Sequence, residues 1–182
     1  MAYISKGIEM YYKGVTEATS LPTELQATHD AVAAALSEMF VDGTATALGR
    51  LIPNLQEIGD LGSGASAERD KIEVTTLADD KHVYTDGLLT DSEFDSIDFK
   101  LLYTPKDYAS FIKIIEWERA LSVAGVNSIY SVRIPNLEDD KSSVFTIKGV
   151  TAIKLDGTSY NGALTMTLTL TPKEEVEFST LD

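Results

Sequence analysis

The chain contains no cysteine. That excludes a disulfide framework and thiolate chemistry, and it fits synthesis and folding in a cytoplasm. No run approaches the roughly 18 consecutive apolar residues of a membrane span, so no membrane partner is expected. The opening MAYISKGIEM is too polar for the apolar core of a secretory signal. Bases are scarce: 15 against 29 acidic residues, a net charge of −14. A free duplex-binding protein needs the opposite sign, because phosphate affinity comes from Lys and Arg releasing counterions.

Catalytic patterns are equally sparse. The two histidines, His29 and His82, stand in no metal-ligand spacing. No nucleophile elbow, Walker loop or zincin helix occurs. Gly62-Ser63-Gly64-Ala65-Ser66-Ala67 imitates a dinucleotide loop, but such a loop must open a helix, and the alternation Ile72–Val74–Thr76 that follows is a strand pattern. Asp91, Glu93, Asp95 and Asp98 imitate a calcium loop, yet Ser96 stands where glycine is required and Leu102 where glutamate is. The expectation is a protein with no enzymatic activity, no metal and no cofactor.

What is present is strand pattern interrupted by two helices. Ile8, Met10 and Tyr12 alternate as a first strand after a polar arm. Thr23 opens a helix with Gln26 at capping-box spacing and Glu24 in its first turn. Its apolar stripe is Leu25, Val32, Leu36, Met39 and Phe40, and Asp42-Gly43 ends it. A second helix is announced by Thr104 as N-cap, Pro105 at the first helical position and Asp107 in the first turn. Tyr108, Phe111, Ile112 and Ile115 form its stripe, widened by Ile114, Trp117 and Leu121, and Ala124-Gly125 ends it.

The remainder reads as β. A short strand opens at Leu55, followed by a Gly/Ser/Ala loop and the strand Ile72–Thr76. A long polar loop, Ala78–Glu93, separates this from the alternating strand Ile97–Tyr103. Tyr130–Ile134 alternates up to Pro135, and Val144–Leu155 is a long strand with Gly149 where a bend is expected. Leu164, Met166, Leu168 and Leu170 alternate with threonines, and Val176–Phe178 adds a short last strand. Strands this close together leave no room for helical crossovers. The fold class is therefore mainly β (α+β): two packed antiparallel sheets as a sandwich or flattened barrel with flanking helices. Residues 1–182 read as one domain, with a helical insertion at about 16–50.

The order of these pieces, with Glu57-Ile58-x-x-Leu61-Gly62 and IEVTTLADD (72–80) at the centre, resembles the major tail tube proteins of long-tailed bacteriophages. Phe145-x-x-Lys148-Gly149, the Ala163–Thr169 alternation and Val176-Glu177-Phe178 match that family's closing strands. The departure is Thr16–Arg50, where many relatives have only a short hairpin, so the insertion either decorates the outside or alters subunit packing. The resemblance implies a structural virion protein. Copies of the chain assemble as hexameric rings stacked into a tail tube, alongside a tape measure protein and tail tip or terminator proteins. Double-stranded DNA passes through without specific binding, and the protein resides in the virion tail after synthesis in the host cytoplasm.

It also implies an inter-ring stacking loop with Asp79, Asp80, Val83, Tyr84, Leu88 and Leu89, whose apolar anchors among acids suit a partner-ordered segment. Glu73, Thr75, Asp98, Thr165 and Thr167 are expected to face the lumen. Two alternatives stay open. One is a β-sandwich carbohydrate-binding or adhesion module of a virion, although Trp117 lies in a helix and the tyrosines are dispersed. The other is a secretion-type inner tube or a tail connector.

Overall fold

In the computed structural model of the protein, described over residues 7–18, 20–40, 45–58, 67–68, 71–72, 88–89, 93–94, 96–135, 141–157, 162 and 164–181, the threonine alternation becomes β12 (Thr165–Pro172). Met166, Leu168 and Leu170 are fully buried and the intervening threonines half-buried. β12 belongs to a nine-stranded antiparallel sheet. Its order is β2 (Ala45–Thr46), β3 (Gly49–Ile52), β1 (Glu9–Val15), β10 (Ser128–Pro135), β11 (Ser142–Leu155), β12, β9 (Ile97–Leu102) and β4 (Leu55–Ile58). The ninth strand, β13 (Glu177–Leu181), also pairs with β11.

β11 is the axis of the fold. At about 3.3 Å per residue its 14 residues extend some 45 Å, enough to serve two groups of strands. Its first half pairs with β10 on one edge, from Pro135↔Ser142 to Ser128↔Gly149, and with β13 on the other. Its second half pairs with β12, from Gly149↔Pro172 to Leu155↔Met166. The two expected packed sheets are thus one continuous sheet with two wings meeting along β11. Met10, Tyr12, Ile52 and Val132 from one wing share a single core with Phe99, Leu101, Met166 and Leu168 from the other.

The helices close this core. α2 (Pro105–Leu121) begins as its sequence requires: Thr104 Oγ1 accepts from the Asp107 amide at 3.2 Å and donates to Asp107 Oδ2 at 2.6 Å. Removing this reciprocal cap in Thr104→Ala should cost about 1 kcal/mol. Thermal unfolding should therefore drop by a few degrees, and Thr104→Ser should recover most of the loss. The buried seam of α2 is Phe111, Ile114, Glu118 and Leu121, whereas Tyr108, Ile112, Ile115 and Trp117 are half-buried. The expected stripe is rotated, because it followed apolar residues alone and the seam contains a carboxylate.

α1 (Thr23–Ala35) differs more from its reading. Pro22 holds the N-cap position and no side chain caps the helix; Pro22 O accepts from Leu25 N and Gln26 N at 2.9 and 3.0 Å. Thr23 is simply the first helical residue, so no capping box forms. The helix gives way to a 3₁₀ turn at Leu36–Glu38. Met39 and Phe40 reach the core from beyond it, Phe40 at φ 47° with its ring 5.0 Å from Phe111. Asp42-Gly43 lies outside the described residues. Val32 packs with Leu121 and Val126, so α1 covers the C-terminal end of α2. The insertion at 16–50 is not wholly helical: β2 and β3 form a hairpin, and β3 adds to β1.

Within 55–102 the described strands pair antiparallel in nested order. The base of the nest is β4 against β9 in the main sheet. Further along the chain, β5 (Ala67–Glu68) pairs with β8 (Glu93–Phe94) and β6 (Lys71–Ile72) with β7 (Leu88–Leu89). Leu88 and Leu89 are therefore strand residues and not loop residues. The strand at Ala67 also replaces the helix that a dinucleotide loop would open, and Glu93 and Asp98 fall on two different strands.

Candidate assembly surfaces and a buried carboxylate

The polar alternation of β9 and β12 builds a solvent-facing surface opposite the core. Lys100 stands between Glu57 on β4 and Thr167 on β12, and Thr167 stands opposite Lys154 on β11. Asp98 pairs with Thr169, whose hydroxyl donates to Asp98 Oδ1 at 2.7 Å. Asp156, just past β11, accepts from Thr165 Oγ1 at 3.1 Å and from Thr167 Oγ1 at 2.9 Å. A depression of about 220 Å³ lies among Glu57, Asp98, Lys100 and Thr167. Asp98, Thr165 and Thr167, expected on one functional face, are therefore together on it. Its three carboxylates are interleaved with two lysines, so the face is polar and close to balanced. Glu73, Thr75, Asp79, Asp80, Val83 and Tyr84 lie outside the described residues.

Among the described residues, open margins lie along β13 and outer β11 as well as along the terminal strands β2 and β4. β13 is exposed along its whole length, with Phe178 at 60% and Leu181 at 40% exposure. The ring of Phe178 rests against Phe145 at 5.3 Å, so one face of it is covered and the other presented. Beyond Gly149, β11 loses β10 as a neighbour, and its exposed Val150 and Leu155 lie along that stretch. Unpaired N–H and C=O groups beside exposed apolar side chains form a template for another chain.

The third feature was not anticipated. Glu118, 6% exposed, projects from α2 to the place where β10 and β11 part. Its carboxylate accepts from Ser128 Oγ at 2.5 Å, Thr151 Oγ1 at 2.5 Å and the Thr151 amide at 2.9 Å. Tyr130 Oη lies 2.9 Å from Thr151 Oγ1, extending the chain of hydroxyls. Tyr12, its ring 5.1 Å from that of Tyr130, has a buried hydroxyl with no hydrogen-bond partner. Burial raises the Glu118 pKa, outweighing the three hydrogen bonds that favour its charged form. The spacing Phe111, Ile114, Glu118, Leu121 could have revealed it, since a glutamate there occupies a seam position.

Glu118 also borders a cavity of about 580 Å³ whose wall includes Arg119, Val126, Val150, Thr151 and Lys173. Among the described residues Glu118 is its only carboxylate and no histidine lines it, so they supply no nucleophile–base pair. His29 lies elsewhere, with Nε2 3.2 Å from Thr16 O. Among the described residues no three potential metal ligands converge, and no helix is long and apolar enough to cross a membrane.

Compared with known proteins, the chain matches no protein-family model and no curated protein.

Proposed function

We propose that this protein is a structural virion subunit whose copies form rings, hexameric by the resemblance, that stack into a phage tail tube. The observation that carries the reading is the nested antiparallel pairing of the described strands within 55–102. The outer pairs are two-stranded, and such a pair is marginal in water without a further surface to pack against. Pairing of this kind at the edge of a broad antiparallel sheet suits contact between successive rings. The open margins of β13 and outer β11 supply edges that a neighbouring copy extends.

In this reading the face bearing Asp98, Thr165 and Thr167 lines the lumen. Its threonines already donate to Asp98 and Asp156, its two lysines stand among three carboxylates, and a chain of −14 has little affinity for DNA. DNA then slides through without specific binding, while tape measure and terminator proteins set tube length.

Negative-stain microscopy of purified protein at increasing concentration, with and without a tail-initiation complex, tests this directly. Rings or tubes roughly a hundred ångströms across are expected, with no requirement for nucleotide, metal or lipid. Protein that remains monomeric under both conditions removes the reading.

A further inference from the structure

The hollow of about 580 Å³ beside Glu118 falls within the size range of small-molecule sites. Four parts of the chain converge on it. Ile115 and Arg119 stand four residues apart on α2 and are therefore neighbours on its surface. Val126 and Asn127 lead into β10, Val150 lies on β11, and Lys173 follows β12, its amide fixed by a 2.9 Å hydrogen bond to Lys148 O. The apolar wall residues Ile115, Val126 and Val150 are all branched aliphatics, and among the described residues no aromatic side chain lines the hollow.

The polar groups there are mostly donors without partners. Arg119 and Lys173 make no ion pair or side-chain hydrogen bond among the described residues, whereas Arg133 and Lys148 do. The side-chain amide of half-buried Asn127 likewise has no partner among them, although its backbone bonds to Thr16. Glu118 is no rival for these donors, because it already accepts three hydrogen bonds within the fold. Even as a full negative charge, joined by about half a charge from the C-terminal end of α2, it leaves the two cations in excess.

We infer that this hollow binds a small amphipathic anion, a carboxylate on an aliphatic chain. The head lies between Arg119 and Lys173 within reach of the Asn127 amide, and the chain lies along Ile115, Val126 and Val150. The site shares no residue with the face bearing Asp98, Thr165 and Thr167, and its occupancy does not depend on assembly. A bound ligand ties the end of α2 to the end of β12, so it should raise the melting temperature by mass action.

Equilibrium dialysis of the full chain against radiolabelled decanoate, near neutral pH and below micelle formation, tests this in any assembly state. Saturable uptake of one decanoate per chain is expected. Decyltrimethylammonium has the same chain and the opposite head, and should bind about tenfold more weakly; acetate, a head without a chain, should not compete. Arg119→Gln combined with Lys173→Gln should weaken decanoate about tenfold, and Lys13→Gln, exposed on β1, should not. Val150→Asp sets a carboxylate in the wall and should abolish uptake. Arg119, Lys173 and Val150 are exposed, so these variants should keep the wild-type circular dichroism spectrum. Absence of saturable uptake overturns the inference, as does uptake indifferent to the head's charge or to the Arg119 and Lys173 replacements. Rings or tubes seen without decanoate uptake would leave the tube reading standing and remove only this ligand.

Discussion

Gly149→Ala should be among the most damaging single-methyl changes at the described glycines. A Cβ at that position would lie 2.2 Å from Thr171 O, 2.8 Å from Thr171 C and 2.9 Å from Pro172 Cα. These are backbone atoms of β12, held by the ladder that pairs Gly149 with Pro172 and Val150 with Thr171. No side-chain rotation relieves the overlap, so the strands must separate where β11 passes from one wing to the other. Overpacking typically costs 1–3 kcal/mol, and a backbone clash stands at or above the top of that range, about 3 kcal/mol. For a chain of this size the melting temperature should fall by roughly 6–12 °C. Gly157→Ala, whose added methyl meets nothing within 4 Å, is the control and should change little. Denaturant unfolding of both variants checks this, and a Gly149→Ala midpoint matching Gly157→Ala would show that the crossing is not tight.

Glu118→Ala and Glu118→Gln should differ sharply. Alanine leaves the buried Thr151 amide and the Ser128 hydroxyl without an acceptor and the Thr151 hydroxyl with Tyr130 alone, a loss of about 2–3 kcal/mol. Glutamine keeps one oxygen for the Thr151 amide and turns its NH₂ toward the two hydroxyls, which can reverse and accept. Its cost near neutral pH should stay under about 1 kcal/mol, because the burial penalty of the charge also disappears.

The pH dependence follows from the raised folded-state pKa of Glu118. A group shifted upward on folding contributes stability that is fully present below its unfolded value, about 4.3 for glutamate, and is lost as pH rises through its folded value. Wild type should therefore gain on Glu118→Gln as pH falls from neutrality toward about 4.3. Taking the difference between the two proteins cancels the effect of the other carboxylates, which are common to both. A flat difference across that window would mean that Glu118 is not desolvated in the folded protein.

Local features were legible because their causes are local. Thr104-Pro105-x-Asp107 specifies a helix start within four residues, and β12 carries its burial pattern in its own alternation. Gly149 could be read as a bend because glycine inside a long strand marks a close backbone approach, although not which backbone it approaches. The hairpin β2–β3 was hidden, since two-residue and four-residue strands are too short for periodicity to register. Met39 and Phe40 kept helical spacing with Leu36 yet stand beyond the helix, because reaching the core decides their position more strongly than intrinsic helix propensity does.

By itself, the amino-acid sequence determined the mainly β class, the antiparallel pairing of close strands, the cap of α2 and the polar, negatively charged character of the chain. Each of these depends on residues within one turn or one strand of each other, or on composition alone. Only the tertiary structure decided that β11 unites the two wings into one sheet, that β13 and outer β11 remain open, and that Glu118 sits in the core. Those outcomes depend on which distant segments exclude water from one another. Ser128, Thr151 and Glu118 lie on three separate elements, and none of them signals in sequence that its polar group will be needed to satisfy the other two.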